Sequence, residues 1–230
     1  YCFSYCTSLT RISIPTSVTT ILMCAFQECS LLKDVTIPPK LTEINWSVFE
    51  GCSSISEITI PSSVKKIGVD SFNGCKSLKQ FIIPPTVTEI EQSAFIDCVS
   101  LTEISIPSSI KEIRAVLFGG CSSLIKVTIP TSVTKIGCYS FRHCSSLKQI
   151  TIPSSVTEIE DHAFYECTSL KKIEIPSSVI KIGEGAFEGC KSLDLSSIPP
   201  NFDISLIGPN CIKKKKRNNF FDMDPFQDLI

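Results

Sequence analysis

Apolar and polar positions recur along this chain on one fixed frame. The segment Leu147–Leu170, LKQITIPSSVTEIEDHAFYECTSL, shows the unit. Leu147, Ile150 and Ile152 are apolar positions separated by polar ones in a β-branched context, which predicts a short strand. Pro153 lacks an N–H and is expected to end that strand. Val156, Ile159, Ala163, Phe164 and Cys167 then follow at offsets of 0, 3, 7, 8 and 11, as expected of a chain crossing the far side. A helical or 3₁₀ turn is expected at 163–167. These eight residues form the predicted inward set.

The unit repeats every 23 residues without insertion or deletion. The Ile-Pro pair recurs nine times, from Ile14-Pro15 to Ile198-Pro199, and Phe recurs nine times from Phe3 to Phe187. A Cys follows each of those Phe residues by three positions, from Cys6 to Cys190. A period in this range predicts a solenoid. One unit cannot fold alone, because ordering 23 residues costs roughly 1.5 kcal/mol each while a buried aliphatic side chain returns only roughly 1.5–3 kcal/mol. Stacking on neighbours covers both open faces of each unit.

The signature L-x-x-I-x-I-P-x-x-V-x-x-I-x-x-x-A-F-x-x-C-x-x over about residues 1–193 resembles the BspA-like class of leucine-rich repeats. The resemblance implies an α/β, β-rich, right-handed curved solenoid with a parallel sheet on its concave side. It further implies a non-enzymatic protein, with cell-surface or secreted adhesion to host tissue or other microbes as the expected role. An intracellular interaction or regulatory scaffold, cytoplasmic or nuclear, stays open as the alternative.

Three regions are expected: a repeat solenoid over 1–193, a degenerate capping repeat over 194–212, and a tail over 213–230. In the cap Ser196 and Phe202 replace the usual Ile and Val, and the Phe-x-x-Cys element is missing. The tail opens with Lys213, Lys214, Lys215, Lys216 and Arg217 and continues as an aromatic and acidic segment. That basic run is either a solvated linker, a nuclear-import or anionic-lipid patch, or a tether for the segment behind it. Removing the tail's five basic and three acidic residues from a chain of net charge −1 leaves −3 on the rest. The chain starts within a unit, at Tyr1-Cys2-Phe3, and without Met, so the natural protein is expected to extend further. The absence of a signal peptide here therefore carries no information on localisation. No apolar run has the length of a membrane span.

Side chains between the strand Ile positions are expected on the concave face. One column reads Arg11, Asp34, Glu57, Gln80, Glu103, Lys126, Gln149 and Lys172; its neighbour is mostly Ser and Thr. From Asp34 to Lys172 the first column is the candidate surface for a protein or glycan partner. Solvated strand positions alone would also explain it. No nucleic-acid partner is expected, and the sequence leaves the oligomeric state open.

Thirteen cysteines ordinarily suggest disulfides, but nine of them copy one repeat position and are expected as buried thiols packed as small hydrophobes. Cys2, Cys24 and Cys138 are expected nearer the surface, with Cys211 also off the column. Phe81 is expected in the core, and Trp46 on a convex turn inside an Asn45-Trp46-Ser47 glycosylation pattern. Glu89, Glu112 and Glu158 are expected as solvated convex charges. No phosphate-binding loop, dinucleotide fingerprint or zinc-protease motif occurs. His143 and His162 fall at non-equivalent turn positions, and His143 is not expected to face Cys144. No catalytic residue, metal or cofactor is therefore expected.

Overall fold

Strands form at most of the positions where the apolar alternation predicts them, though not at 57–59 or 80–82, and the computed structural model describes residues 2–194 and 198. The predicted first strands appear as β1 (Arg11–Ser13), β2 (Asp34–Thr36), β6 (Glu103–Ser105), β8 (Lys126–Thr128), β10 (Gln149–Thr151) and β12 (Lys172–Glu174). A second series follows the proline corner: β3 (Glu43–Ile44), β4 (Lys66–Ile67), β5 (Glu89–Ile90), β7 (Glu112–Ile113), β9 (Lys135–Ile136), β11 (Glu158–Ile159) and β13 (Lys181–Ile182). All pairings are parallel and keep the 23-residue register, as in Arg11 with Asp34 and Glu112 with Lys135. The architecture is a parallel β-solenoid.

The inward set is buried throughout. Leu147, Val156, Ile159, Ala163, Phe164 and Cys167 are fully enclosed, and Ile150 and Ile152 nearly so. The Phe column forms one stack with ring centroids 5.3–5.7 Å apart from Phe3 to Phe187. Phe3, which has a neighbour on one side only among the described residues, is 39% exposed.

The far-side turn differs from expectation: no helical or 3₁₀ span occurs among the described residues. Residues two before and two after each column Phe from Phe26 to Phe187 have left-handed backbone, for example Cys24 (φ 55°) and Glu28 (φ 59°). A right-handed helix cannot run through such residues. Alternate N–H groups instead reach the following repeat. Cys24, Phe26 and Glu28 donate to the carbonyls of Trp46, Val48 and Glu50 at 2.9, 3.0 and 2.7 Å. Backbone groups buried at the turn are thus paired between repeats, as burial requires. Gly51 holds the position of Glu28 with φ 69°, a conformation that suits a residue without Cβ.

Two side-chain series lock the stack. Each column thiol donates to the Phe carbonyl 26 residues earlier, from Cys29 to Phe3 at 3.0 Å through Cys190 to Phe164 at 3.2 Å. From Val64 to Val179 the hydroxyl before each corner Val or Ile bonds back one repeat, as Ser63 to the Leu41 carbonyl at 2.6 Å and Ser132 to the Ile110 carbonyl at 2.7 Å. The thiols from Cys29 to Cys190 are free and buried, while Cys6 is free and exposed. Off the column, Cys2 is exposed and Cys138 half-buried, but Cys24 is buried beside Ala25 and Phe26 at the start of the turn. The expected cap, Cys211 and the tail lie outside the described residues, except that Ile198 is buried.

Candidate functional site

The first-strand face carries the candidate column, and Arg11, Asp34, Glu57, Gln80, Glu103, Lys126, Gln149 and Lys172 are all exposed on it. Polar side chains alternating with buried Ile or Val place them there. The two halves of the column differ. Lys126 meets Glu103 at 3.8 Å, and Lys172 meets Glu174 at 2.6 Å. Bonding to Glu174 raises the pKa of Lys172, and the same contact lowers that of Glu174. Asp34, Glu57 and Gln80 have no side-chain hydrogen bond or ion pair among the described residues.

That unpaired stretch coincides with a break in the ladder. Between β2 and β6 only the bridge Gln80–Glu103 is formed. The fourth strand position carries Phe81, where the other repeats before the expected cap have Ile or Val, and its ring lies edge-on to Phe72 and Phe95 at 4.9 and 4.7 Å. Phe81 is core, as expected. A groove of about 630 Å³ opens at the break, with Asp34, Glu57, Thr59 and Gln80 in its lining and the apolar Ile82 at 82% exposure beside them. The grouping of unpaired polar groups with an exposed aliphatic was not apparent from composition. The 23-residue column contained its signal, because Ile82 stands where neighbours have Ser or Thr.

On the second-strand face the expected solvated carboxylates are half-exposed and also ion-paired. Glu89, Glu112 and Glu158 lie in β5, β7 and β11 and take part in ion pairs. Lys66 reaches Glu89 at 3.2 Å and Glu91 at 2.8 Å, Arg114 reaches Glu112 at 2.9 Å, and Lys181 reaches Glu158 at 4.0 Å. Parallel register brings Lys and Glu at one repeat position side by side, which is the physical reason. Glu91 first and Glu89 second push the pKa of Lys66 up, and Lys66 holds Glu91 down. Burial pulls Glu160 upward, but bonds from Lys135 and Cys138 outweigh it and leave its pKa lowered. A smaller pocket of about 350 Å³ opens between β5 and β7, beside Lys111 and Arg114.

On the turn face, both histidines join one aromatic group. His162 stacks on Tyr139 at 4.8 Å, and His143 meets Tyr165 edge-on at 5.5 Å. The Cys144 thiol donates inward to the Phe118 carbonyl at 3.2 Å, so no Cys–His pair forms there. The glycosylation pattern is also occupied structurally: the Asn45 amide donates to the Ile21 carbonyl at 2.9 Å, and Ser47 is buried. Among the described residues no group of three His, Cys, Asp or Glu side chains could hold a metal ion, and no helix is long and apolar enough to cross a membrane.

Known proteins share this architecture. The sequence profile of the BspA type leucine rich repeat region matches residues 1–125 and 112–225, in six copies. A leucine-rich repeat protein of T. pallidum is 31% identical with a TM-score of 0.66, over 80% of this chain and 78% of that one. A leucine rich cell surface protein of Faecalibacterium prausnitzii is 30% identical with a TM-score of 0.58, over 84% and 60%. A leucine-rich repeat protein of Eubacterium ventriosum is 26% identical with a TM-score of 0.67, over 85% and 62%. The chain thus spans less than two thirds of the latter two. Among curated proteins none matches. With its unbroken 23-residue register, its parallel β-solenoid and these relatives, the chain belongs to the BspA-type leucine-rich repeat family.

Proposed function

We propose that this chain is a non-enzymatic binding scaffold acting in cell-surface adhesion, with a protein or glycan held along its first-strand face. In this reading the solenoid is right-handed and curved, residues 1–193 are its body, and the first-strand face is its concave side. A cap over 194–212 closes it, and 213–230 is an appended tail. The contact column is Asp34, Glu57, Gln80, Glu103, Lys126, Gln149 and Lys172, with the groove at Asp34, Glu57 and Gln80 as its centre.

One observation carries the reading: the groove joins unpaired carboxylates and an exposed Ile82 at the ladder break, whereas the later part of the column neutralises itself. Unpaired charge beside apolar surface favours a partner of complementary charge and gives it orientation. That the F. prausnitzii relative is a cell surface protein supports the location.

The test is adhesion of beads coated with the full chain to cultured host cells. Asp34→Lys with Glu57→Lys should cut adhesion severalfold and make it less salt-sensitive, and Lys126→Glu with Lys172→Glu should have a smaller effect. Solvated strand positions tolerate such changes within about 0.5 kcal/mol, so folding should hold. If adhesion survives both reversals but is lost on deletion of 213–230, the face is not the binding surface.

A further inference from the structure

The ladder that runs from β3 to β13 breaks once, between β5 and β7. At its other boundaries two backbone bonds recur. Thr134 and Gly137, for example, donate to the carbonyls of Lys111 and Ile113 at 2.9 and 2.8 Å. Between β5 and β7 neither bond forms. The N–H groups of Lys111 and Arg114 and the carbonyls of Thr88 and Ile90 have no hydrogen-bond partner among the described residues.

Two features of the sequence part the strands here. Glu and Lys alternate at one strand position from Glu43 to Lys181, at every boundary except Glu89 to Glu112. Like charges facing each other across a ladder destabilise it. Two residues further on, the same boundary sets Glu91 against Arg114, whereas each paired boundary has a glycine: Gly68, Gly137 or Gly183. Room for a Cβ is short there. One on Gly137 would lie 2.7 Å from the Ile113 carbonyl oxygen, and one on Gly68 2.9 Å from that of Ile44. The Leu22–Asn45 boundary also has no glycine, and there the Asn45 side-chain amide donates to the Ile21 carbonyl at 2.9 Å instead. Arg114 cannot serve Ile90 in this way, because its guanidinium is held by Glu112 at 2.9 Å and Glu89 at 3.8 Å.

The opening is narrow. On either side the two repeats stay joined, by the Phe95 N–H to the Leu117 carbonyl at 3.1 Å and by the Ser109 hydroxyl to the Val87 carbonyl. What remains is a slit of about 350 Å³. An added strand, needing about 4.8 Å on each side, does not fit between such anchors. The slit does suit a small ligand, whose pockets start at about 300 Å³.

Its walls differ in chemistry. The β7 side presents the two N–H groups and the Lys111 ammonium, which has no ion pair among the described residues. The β5 side presents the two carbonyls. A ligand must therefore accept on one wall and donate on the other. A sulfate or carboxylate has nothing to donate to the carbonyls, and a metal cation would meet Lys111 and Arg114. A hydroxyl does both. Thr88 and Ile90 are two residues apart, roughly 6.6 Å along an extended strand. That separation suits hydroxyls on opposite sides of one sugar ring rather than adjacent ones.

We propose that the slit between β5 and β7 binds a neutral pyranose sugar. One hydroxyl bridges the Thr88 carbonyl and the Lys111 N–H, a second bridges the Ile90 carbonyl and the Arg114 N–H, and the Lys111 ammonium donates to a further oxygen. This site lies on a different strand series from the first-strand column and does not depend on it.

Amide hydrogen exchange in the full chain, with methyl glycosides of glucose, galactose and mannose as probes, tests the assignment. Without sugar, the Lys111 and Arg114 amides should exchange far faster than those of Thr134 and Gly137. At least one glycoside should slow the first pair severalfold and leave the second unchanged. Lys111→Thr copies Thr88 and Thr134, and so should keep the slit while weakening that glycoside about tenfold. Arg114→Gly with Glu112→Gln removes both causes of the break; it should protect the Lys111 amide without sugar and abolish binding. Asp34→Lys with Glu57→Lys should leave glycoside binding intact, and its loss there would move the sugar to the first-strand groove and overturn the proposal. Protected Lys111 and Arg114 amides in the free chain would overturn it too. So would exchange that no glycoside slows, which would mean a hydrated slit only, or exchange slowed equally by sodium acetate, which would mean that the site reads charge alone.

Discussion

The thiol of Cys98 lies 3.2 Å from the carbonyl oxygen of Phe72, which also accepts the N–H of Cys75 at 3.2 Å. One carbonyl thus ties its own turn shut and holds the next repeat at fixed distance. Cys supplies a small apolar volume and a weak donor together, and no other side chain of that size combines them. Cys98→Ala removes the donor and leaves the carbonyl with its local bond alone. We expect a loss of roughly 1–3 kcal/mol in urea unfolding. A variant that unfolds at the wild-type urea concentration would mean that the thiol only fills space.

Those thiols should be chemically silent in the folded protein. Burial first, and neighbouring thiols second, push Cys75, Cys98 and Cys121 far above the ordinary thiol range. Alkylation proceeds through the thiolate. Brief iodoacetamide treatment of native protein at mildly alkaline pH should label Cys2 and Cys6, which are exposed, and spare Cys75, Cys98 and Cys121. Denaturant should expose all of them to the reagent. Peptide mapping that found disulfides between cysteines 23 residues apart would contradict both the thiol bonding and the burial argument.

Position along the Phe stack should set the cost of interrupting it. Phe95 is enclosed, stacked between Phe72 and Phe118 at 5.5 and 5.7 Å, and flanked edge-on by Phe81. Phe95→Ala should cost roughly 3–5 kcal/mol and separate unfolding of the two halves. Phe3→Ala, at a partly exposed ring, should cost well under half as much. Calorimetry distinguishes the cases, and equal destabilisation by the two variants would show that the stack does not transmit packing.

The period made most of this fold legible. A buried position copied nine times in register leaves one consistent assignment, and so the inward set, the Phe stack and the thiol column follow from sequence. The second ladder was harder to read. Glu158-Ile159 alternates over two residues, too short for a strand pattern to stand out from a bend. The turn was misread because a helix and a left-handed turn place Ala163, Phe164 and Cys167 inward alike. What separates them is the backbone at His162 and Glu166, at φ 54° each; His is enriched in that conformation, but Glu gives no signal of it. For the binding face, sequence placed Asp34, Glu57 and Gln80 in one column with Lys126 and Lys172. It could not show which charges neutralise each other, because that depends on side-chain direction across the strands.

Asp70 should write a pH dependence into stability whose sign is opposite to that of most carboxylates. Burial first, and the charge of Glu50 second, raise its pKa from an ordinary 3.8 to about 6, while the Trp46 indole pulls the other way. Between those two values the folded chain holds a proton at Asp70 that the unfolded chain has released. Raising the pH through that window therefore favours unfolding. The penalty is absent below about pH 3.8 and complete above about pH 6. Asp70→Asn removes the ionisation and keeps an oxygen that can accept the indole N–H. We expect the variant to melt above wild type at neutral pH, with the difference shrinking steadily towards pH 4. Other carboxylates titrate alike in both proteins and cancel in that difference. If the two melting temperatures differ by a constant amount across the range, Asp70 ionises with an ordinary pKa. Its carboxylate would then be better hydrated than its place on the turn implies.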